Sequence, residues 1–315
     1  MLGSPATSPR FACWKFAGFA TLLAVLVWWT TSKNSPEPGA FHDRYGPAAF
    51  IAGASEGLGA AWADYLAARG FDLFLVARHL PALDAVAEDL RSRYGVSVQT
   101  ISLDLGSKEV AAFGTELFRQ HPEINLVIYN AAYTGSQAGF FASDSLSMAQ
   151  GAVDVNIRGV MSLIHPFLNG KLDGVETDEA ARGGVLLMSS MAGVVGSAHI
   201  TAYAATKAWN TAFATGLYEE LRHTGIDVMA CLAGATTTPN YMEKANPMRD
   251  RTIEQEPADV VDECASAFGH VPTRATGWVN RIGQVALARF LPTWLSVHIV
   301  SEGTRHTTTF DMVSV

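Results

Sequence analysis

The sequence contains few of the residues that characterise metal-binding or disulfide-rich proteins. Its 315 residues include three cysteines, Cys13, Cys231 and Cys264, which form no Cys-x-x-Cys or Cys/His pattern. This spacing argues against a metal site and against a small disulfide scaffold. We therefore expect the cysteines to behave as small buried apolar side chains.

Charge is also scarce, and the charges that exist do not cluster. Lys and Arg number 22 against 30 Asp and Glu, which gives a formal net charge of −8. Because no basic cluster is present, no nucleic-acid partner is expected. The hydrophobic fraction of 49% is sufficient for one large α/β domain, or two small ones, with a substantial core.

One long uncharged run, Phe16–Trp29, lies near the N-terminus and ends in two tryptophans. Alone it is short for a membrane span, but the stretch from Phe11 to Thr31 is long enough if its single lysine extends to the lipid surface. We favour an uncleaved single-span anchor at residues 1–31 over a cleaved signal segment or a buried helix. A polar linker would follow at residues 32–44. The protein would then be membrane-associated, on a side that the flanking charges do not determine.

A glycine-rich turn between a strand and a helix is the first motif with a chemical meaning. The apolar run Ala48–Ala52 leads into Gly53-Ala-Ser-Glu-Gly57-Leu-Gly59, and a helix is predicted over Ala60–Arg69. Glycines in this context let backbone N–H groups and the helix N-terminus approach a pyrophosphate. The turn therefore predicts a dinucleotide site, although its spacing differs from Gly-x-Gly-x-x-Gly.

Side chains at the ends of the next two strands bear on which dinucleotide binds. Arg78 follows the predicted strand Asp72–Ala77, at the place where the adenosine ribose lies in doubly wound sheets. A guanidinium group suits a 2′-phosphate, so NADP(H) is favoured over NAD(H). Asp104 ends the predicted strand Val96–Leu103 and is expected to meet the adenine.

Further strands alternate with helices along the chain, at Asn125–Tyr129, Val185–Met188 and Asp227–Leu232. This alternation predicts an α/β fold, a doubly wound and mostly parallel sheet of the Rossmann type. We place it in a single domain at residues 45–270, followed by an amphipathic C-terminal extension at residues 271–315.

The pair Tyr203 and Lys207 carries the predicted chemistry. The two residues are four apart on a predicted helix, Thr201–His223, so they share one face. A nearby ammonium group favours the ionised phenol, as a general acid/base for an alcohol–carbonyl interconversion requires. Chance alone gives about 0.15 Tyr-x-x-x-Lys pairs in this composition, so the pair needs support. Ser190, at the end of a buried strand, provides it, because its hydroxyl can hold the substrate oxygen.

These motifs together resemble the short-chain dehydrogenase/reductase family, over about residues 45–240. The N-terminal run and the stretch YGPAAFIAGASEGLG are similar to membrane-associated hydroxysteroid dehydrogenases, 3-ketoacyl reductases and their bacterial relatives. The matching positions are GASEGLG at 53–59, Asp104-Leu105, Asn130-Ala131-Ala132, Asn156, Ser190, Tyr203-x-x-x-Lys207 and Ala-Gly-x-x-x-Thr at 233–238.

The resemblance assigns a role to each matching residue. Tyr203 would donate the proton, Ser190 would orient the carbonyl, and Asn156 would support a water-linked proton path to Lys207. Lys207 would also bind the nicotinamide ribose and lower the pKa of the phenol. The other cofactor contacts that it implies come from Gly53, Ser55, Gly57, Leu58, Gly59, Asp104, Leu105, Asn130, Ala131, Thr236 and Thr238.

Three positions depart from the family pattern. Glu56 stands where many NADP-dependent members have a basic residue, Tyr133 stands where the family usually has glycine, and Ala233 replaces a proline. Glu56 weakens the case for NADP(H) that Arg78 makes. Tyr133 and Ala233 support a competing hypothesis, a non-catalytic dinucleotide-binding sensor or scaffold. The intact Asn156, Ser190, Tyr203 and Lys207 set favours the enzyme.

We expect the substrate to be small and lipophilic, such as a steroid or a fatty-acyl chain. The lid region after Pro239 offers apolar side chains for it, namely Tyr241, Met242, Met248, Val260, Val261 and Phe268. Further on, Trp278–Val300 is hydrophobic with two arginines. It is either an interfacial helix broken near Pro292 or a closing helix on the domain. A homodimer is a possible assembly.

Overall fold

The computed structural model describes residues 40–135, 141–143, 145–173, 182–248 and 251–307. The predicted anchor at residues 1–31 lies outside the described residues. Within them, no helix is both long enough and apolar enough to cross a bilayer.

In the described part of the chain, seven parallel strands form one sheet in the order β3-β2-β1-β4-β5-β6-β7. The predicted Rossmann-type fold is therefore confirmed. The strands are β1 (Ala48–Ala52), β2 (Asp72–Ala77), β3 (Val98–Ser102), β4 (Ile124–Tyr129), β5 (Gly183–Ser190), β6 (Ile226–Ala233) and β7 (Thr273–Ala275). The α-helices are α1 (Ala40–Tyr45), α2 (Gly57–Ala67), α3 (Leu80–Tyr94), α4 (Val110–Gln120), α5 (Leu146–Val153), α6 (Gly159–Leu172), α7 (Thr201–Glu220), α8 (Pro239–Lys244), α9 (Pro257–Ala267), α10 (Trp278–Val285) and α11 (Thr293–Thr307).

Helices cover both faces of the sheet, which explains why the strands read as unbroken apolar runs. In β1 every residue is buried, and successive side chains enter different cores. Ile51 packs in the core that contains Trp62 of α2. Its neighbour Phe50 packs in the opposite core, against Phe118 of α4 at a ring-centroid distance of 5.7 Å.

The strand order reverses between β1 and β4, and the crevice that binds ligands in such sheets opens at this point. The backbone N–H groups of Asn130 and Ala131 both donate to the carbonyl of Ala52, at 3.0 and 2.8 Å. These bonds draw the end of β4 against the start of the glycine turn after β1.

Several local expectations need correction. Helix α1 begins inside the predicted linker and ends at Tyr45, where the domain was predicted to start. Phe41 and Tyr45 are buried, and the Tyr45 hydroxyl donates to Asp227 at 2.7 Å. Strand β7 lies beyond residue 270, where we expected the domain to end. Helix α6 contains Pro166 yet continues through it to Leu172, and the irregular turn in this region is a π-helix at Asp154–Arg158.

The cysteine expectation is also only half right. Cys231 of β6 and Cys264 of α9 are fully buried, as expected, but they are joined in a disulfide. Their separation of 33 residues in the sequence gave no pattern to recognise, because strand and helix packing alone brings them together.

Candidate active site

A cavity of about 910 Å³ lies over the carboxyl ends of the strands. Residues that end or follow β1, β2, β4, β5 and β6 line it, among them Gly53, Arg78, Asn130, Ser190 and Ala233. Every predicted site residue lines this cavity except Gly59 and Asn156, which lie behind its wall.

The glycine turn leaves its backbone open to the cavity because side chains have no room there. Gly53 has a φ of +81°, and a Cβ on it would lie 2.7 Å from the backbone nitrogen of Ala131. A Cβ on Gly59 would lie 1.9 Å from the carbonyl oxygen of Gly53. Helix α2 begins at Gly57 without a side-chain cap from Glu56, so its first N–H groups can bind an anion. This cradle fits the pyrophosphate of a dinucleotide.

Two residues that the resemblance assigned to direct cofactor contacts also support the cradle. The side-chain amide of Asn130 donates to the Gly53 carbonyl at 2.8 Å and so holds the turn in place. The hydroxyl of Thr238 caps helix α8 by accepting the N–H of Tyr241 at 3.3 Å, while its methyl group faces Gly57. Both line the cavity, so each can also contact a ligand.

The far end of the cavity lies beyond β2 and β3. Arg78 is exposed there and lines the cavity, and its contact with a 2′-phosphate stays a prediction. Asp104 accepts the N–H of Gly106 at 3.0 Å, and Leu105 is buried beside it. These positions agree with an adenosine site at this end. The exposed Glu56 also lines the cavity and would repel an additional phosphate.

Ser190, Tyr203 and Lys207 meet at the other end. Burial raises the pKa of the Tyr203 phenol above its usual value, and the hydrogen bond with Ser190 opposes this rise. The Lys207 ammonium lies 5.7 Å from the centre of the Tyr203 ring and donates to the Met188 carbonyl at 2.7 Å. Burial lowers the pKa of Lys207 to about 8. The expected lowering of the phenol pKa is therefore not observed in the protein alone, because desolvation is the larger effect.

The helix that carries this pair is fastened to the end of β5. The hydroxyl of Ser189 donates to the Lys207 carbonyl at 2.8 Å and contacts the hydroxyl of Thr211 at the same distance. Ser189 and Ser190 therefore have different roles, because the side chains of adjacent strand residues point to opposite faces of the sheet. One positions helix α7, and the other faces the phenol.

Asn156 lies on the π-helix and is fully buried. Its side chain accepts the Tyr133 N–H at 2.7 Å and donates to the Tyr133 carbonyl at 3.0 Å and to the Thr206 hydroxyl at 2.9 Å. Asn156 therefore joins the loop after β4 to the catalytic helix. The proton path to Lys207 that the resemblance implies remains a prediction, since these side-chain bonds go to Tyr133 and Thr206.

Tyr133, the bulky replacement for glycine, lines the cavity and turns its ring toward helix α5. Its hydroxyl lies 2.7 Å from the sulfur of Met148, and a Cβ on Gly151 would lie 3.1 Å from the ring. The glycine at 151 thus leaves space for the tyrosine at 133.

Sequence reasoning missed the residues that cover the cavity from the C-terminal side. They come from α10 and the turn after it and from α11, namely Val279, Asn280, Gly283, Leu287, Ile299, Val300, Gly303 and Thr304. Helix α11 continues beyond Val300 to Thr307. Ser301 is buried there and accepts the N–H of Ala198 at 3.0 Å. The only available signal was the apolar character of Trp278–Val300, which did not reveal what it covers.

Glu263 of α9 holds this cover in place. One carboxylate oxygen accepts the N–H of Gly277 and a guanidinium N–H of Arg281, both at 3.0 Å. The other accepts the side-chain amide of Gln255 at 3.3 Å. Glu263 therefore joins the start of α10 to the segment that precedes α9.

The residues predicted to form the lid do not all line the cavity. Tyr241 lines the cavity, but Val260, Val261 and Phe268 lie in the core beneath α9 and are at most 4% exposed. These residues form an apolar face, and that face packs on the sheet and not on a ligand. Among the described residues, no group of three His, Cys, Asp or Glu side chains could hold a metal ion.

Comparisons with known proteins agree with this geometry. A family model described as short chain dehydrogenase matches residues 47–249. A 7beta-hydroxysteroid dehydrogenase from Clostridium sardiniense is 26% identical over 76% of this chain and 89% of its own length. A very-long-chain 3-oxoacyl-CoA reductase-B from Danio rerio is 28% identical over 74% of each chain. Among solved structures, a short-chain dehydrogenase from Sphingobium yanoikuyae in complex with NADPH is 29% identical over 73% of this chain and 87% of that chain, with a TM-score of 0.63.

The family match covers more than half of the chain, and the same region supplies the cradle and the Ser190, Tyr203 and Lys207 cluster. The family identification made from the sequence is thus confirmed. The chain belongs to the short-chain dehydrogenase family and is an oxidoreductase that uses a nicotinamide dinucleotide.

Proposed function

We propose that this chain is an NADP(H)-dependent oxidoreductase that interconverts a carbonyl and a secondary alcohol on a lipophilic substrate, with Tyr203 as the general acid/base. The convergence of Ser190, Tyr203 and Lys207 on the cavity that contains the glycine cradle carries this proposal. The dinucleotide, when bound, supplies or accepts the hydride.

Each of the three side chains has a task that its surroundings support. The Ser190 hydroxyl contacts the phenol and can hold the substrate oxygen next to it. In the direction of reduction, the Tyr203 hydroxyl gives its proton to the carbonyl oxygen, and in oxidation the phenolate takes the alcohol proton. Lys207, while charged, stabilises that phenolate, and it loses its charge above a pH of about 8.

The preference for NADP(H) rests on Arg78. Its guanidinium can bind a 2′-phosphate with two hydrogen bonds, which an unphosphorylated ribose cannot provide. The solved relative in complex with NADPH agrees with this assignment. Glu56 lines the same cavity, and its negative charge disfavours a 2′-phosphate. The relative effect of Arg78 and Glu56 therefore decides between NADP(H) and NAD(H).

The cavity walls beyond the Tyr203 phenol support the proposal of a lipophilic substrate. Apolar and aromatic side chains dominate that end, including Tyr133, Tyr241, Ile253, Val279 and Leu287. The names of the two curated relatives refer to a hydroxysteroid and to a very-long-chain 3-oxoacyl-CoA, both of which carry large apolar groups.

A homologous series of ketones tests the proposal, with NADPH consumption as the readout and Tyr203→Phe as the catalytic control. Burial contributes about 0.8 kcal/mol per methylene, so kcat/KM should rise up to about fourfold per added methylene until the cavity is full. A flat series, or a preference for the shortest polar ketone, would contradict the lipophilic substrate. NADPH binding without turnover of any ketone or alcohol would favour the sensor hypothesis, to which Tyr133 and Ala233 point.

A further inference from the structure

The elements that cover the cavity also present large apolar side chains to solvent. Neither α10 nor the π-helix Ala286–Phe290 that follows it contains a buried residue. Of the 15 exposed large apolar residues in the described part of the chain, six lie between positions 278 and 299. We call these six the C-terminal apolar face: Trp278 (66% exposed), Val279 (40%), Ile282 (44%), Phe290 (55%), Trp294 (73%) and Ile299 (46%).

The elements that carry this face are held together and held on the domain. The Ser296 hydroxyl of α11 donates to the Leu287 carbonyl at 2.9 Å, and Arg281 of α10 is paired with Glu263. The Thr304 hydroxyl contacts that of Ser197 at 2.7 Å. These bonds are formed by polar groups, and the apolar side chains of the face stay exposed to solvent. A fixed surface with two exposed tryptophans is unusual for a soluble protein and indicates a binding partner.

The charges of this segment indicate which charge the partner carries. No acidic residue occurs from Trp278 to Ser301, although the whole chain has a net charge of −8. Arg281 is neutralised by Glu263, whereas Arg289 is exposed beside Phe290. The face thus combines indole rings, which favour the boundary between water and hydrocarbon, with an exposed positive charge.

A second copy of the chain fits these charges poorly. A two-fold contact pairs the same patch on both copies, so Arg289 of each copy would approach a face with no acidic partner. An anionic lipid surface offers both hydrocarbon for the rings and phosphate for the guanidinium.

We propose that the C-terminal apolar face docks on the surface of a lipid bilayer that contains anionic headgroups. Val279 and Ile299 belong to the face and also line the active-site cavity. Docking would therefore place one wall of the cavity at the lipid boundary, where apolar molecules partition. The contact lies on α10 and α11 and is separate from the predicted anchor at residues 1–31.

Quenching of tryptophan fluorescence by brominated lipid tests the docking without any measurement of activity, so its failure is distinguishable from failure of the proposed function. The full-length protein would be reconstituted in phosphatidylcholine vesicles with and without phosphatidylglycerol. We compare wild type with the double variant Trp278→Phe, Trp294→Phe, which keeps the face apolar but removes its reporters. Trp209→Phe is the matched control, because that indole stacks on Phe213 at 4.6 Å within helix α7.

The double variant should lose a large part of the quenched fluorescence, and the control should lose none. The tryptophans near the N-terminus are present in all three proteins, so the difference reports on the face alone. Arg289→Glu should weaken quenching with phosphatidylglycerol and leave it unchanged in pure phosphatidylcholine. Equal quenching of wild type and double variant would overturn the proposal, as would efficient cross-linking of two copies through Trp294→Cys. Equal quenching of Arg289→Glu and wild type in anionic vesicles would overturn its electrostatic part.

Discussion

Tyr203 experiences two opposing influences on its phenol group, desolvation by the cavity walls and a hydrogen bond with Ser190. The second favours the ionised form, while the first makes the free phenol a weaker acid. A neutral phenol carries the proton that the proposed transfer to a carbonyl oxygen requires.

At the residue scale, Tyr203→Phe should reduce turnover by roughly a hundredfold or more, the range typical for loss of a general acid. Dinucleotide binding should persist, because the ring and Lys207 remain. Tyr218→Phe, the same substitution on the same helix outside the cavity, provides the control. Steady-state rates and NADPH titration measure the two effects, and near-normal turnover of Tyr203→Phe would show that another group is the acid.

Lys207 should give the protein a specific dependence of stability on pH. Burial lowers its pKa from 10.5 to about 8, so between these values the unfolded chain holds a proton that the folded chain has released. The free energy of unfolding therefore gains a contribution that rises with pH across this window. Urea unfolding at several pH values should show this rise in wild type and a smaller one in Lys207→Met. Lys108→Met, which replaces an exposed lysine, should follow wild type, and parallel curves for all three proteins would contradict the assignment.

Arg78→Ala should weaken NADPH binding by roughly tenfold to a hundredfold, as expected for loss of a hydrogen-bonded charge pair. NADH binding should change little, because NADH has no 2′-phosphate. Titration of both dinucleotides against wild type, Arg78→Ala and the remote surface variant Arg119→Ala measures the difference. If wild type already binds both equally well, Glu56 outweighs Arg78.

At the element scale, helix α10, which covers the active site, depends for its position on the carboxylate of Glu263. Glu263 and Arg281 are 21% and 18% exposed, so their ion pair is only weakly screened by water. The same carboxylate accepts the first free N–H of α10, at Gly277. Helix α10 has no buried residue of its own, and polar contacts therefore contribute much of what positions it.

Glu263→Gln should accordingly lower the free energy of unfolding by about 1–3 kcal/mol, because Arg281 loses its counter-charge. KM for a long ketone should rise more than kcat falls, since the displaced helix lines the cavity but does not carry Tyr203. Glu116→Gln removes the charge from a solvent-exposed pair with Arg119 and should leave the stability close to that of wild type. A decrease in kcat alone would mean that Glu263 does not act through the cover.

At the scale of the whole molecule, the described residues between 40 and 307 form one compact unit of a sheet and its flanking helices. The predicted anchor lies outside the described residues, and we propose it from the sequence alone. Removal of residues 1–31 should move the protein from the carbonate-resistant membrane pellet toward the supernatant. Full-length protein that is soluble without detergent would contradict the anchor. Because the C-terminal apolar face remains, the truncated protein should still bind anionic vesicles reversibly.

Local patterns in the sequence were enough to predict the central features of the site. The strand, glycine turn and helix at residues 48–67 are neighbours along the chain, so their geometry follows from backbone rules. The same holds for Tyr203 and Lys207, which share a helix face because they are four residues apart. The sequence also predicted a parallel sheet from the alternation of strands and helices, since short crossovers leave few other arrangements.

Tertiary structure alone decided the contacts between distant residues. The bonds from Asn156 to Tyr133 and from Asn130 to Gly53 join positions 23 and 77 residues apart, and no local pattern records such pairs. The disulfide and the role of Glu263 follow likewise from the packing of α9 on the sheet and against α10. An apolar residue on a helix satisfies the hydrophobic effect equally well against the core, a ligand or a lipid surface, because that effect has no direction. Only the fold shows that Val260 packs in the core while Val279 borders the cavity.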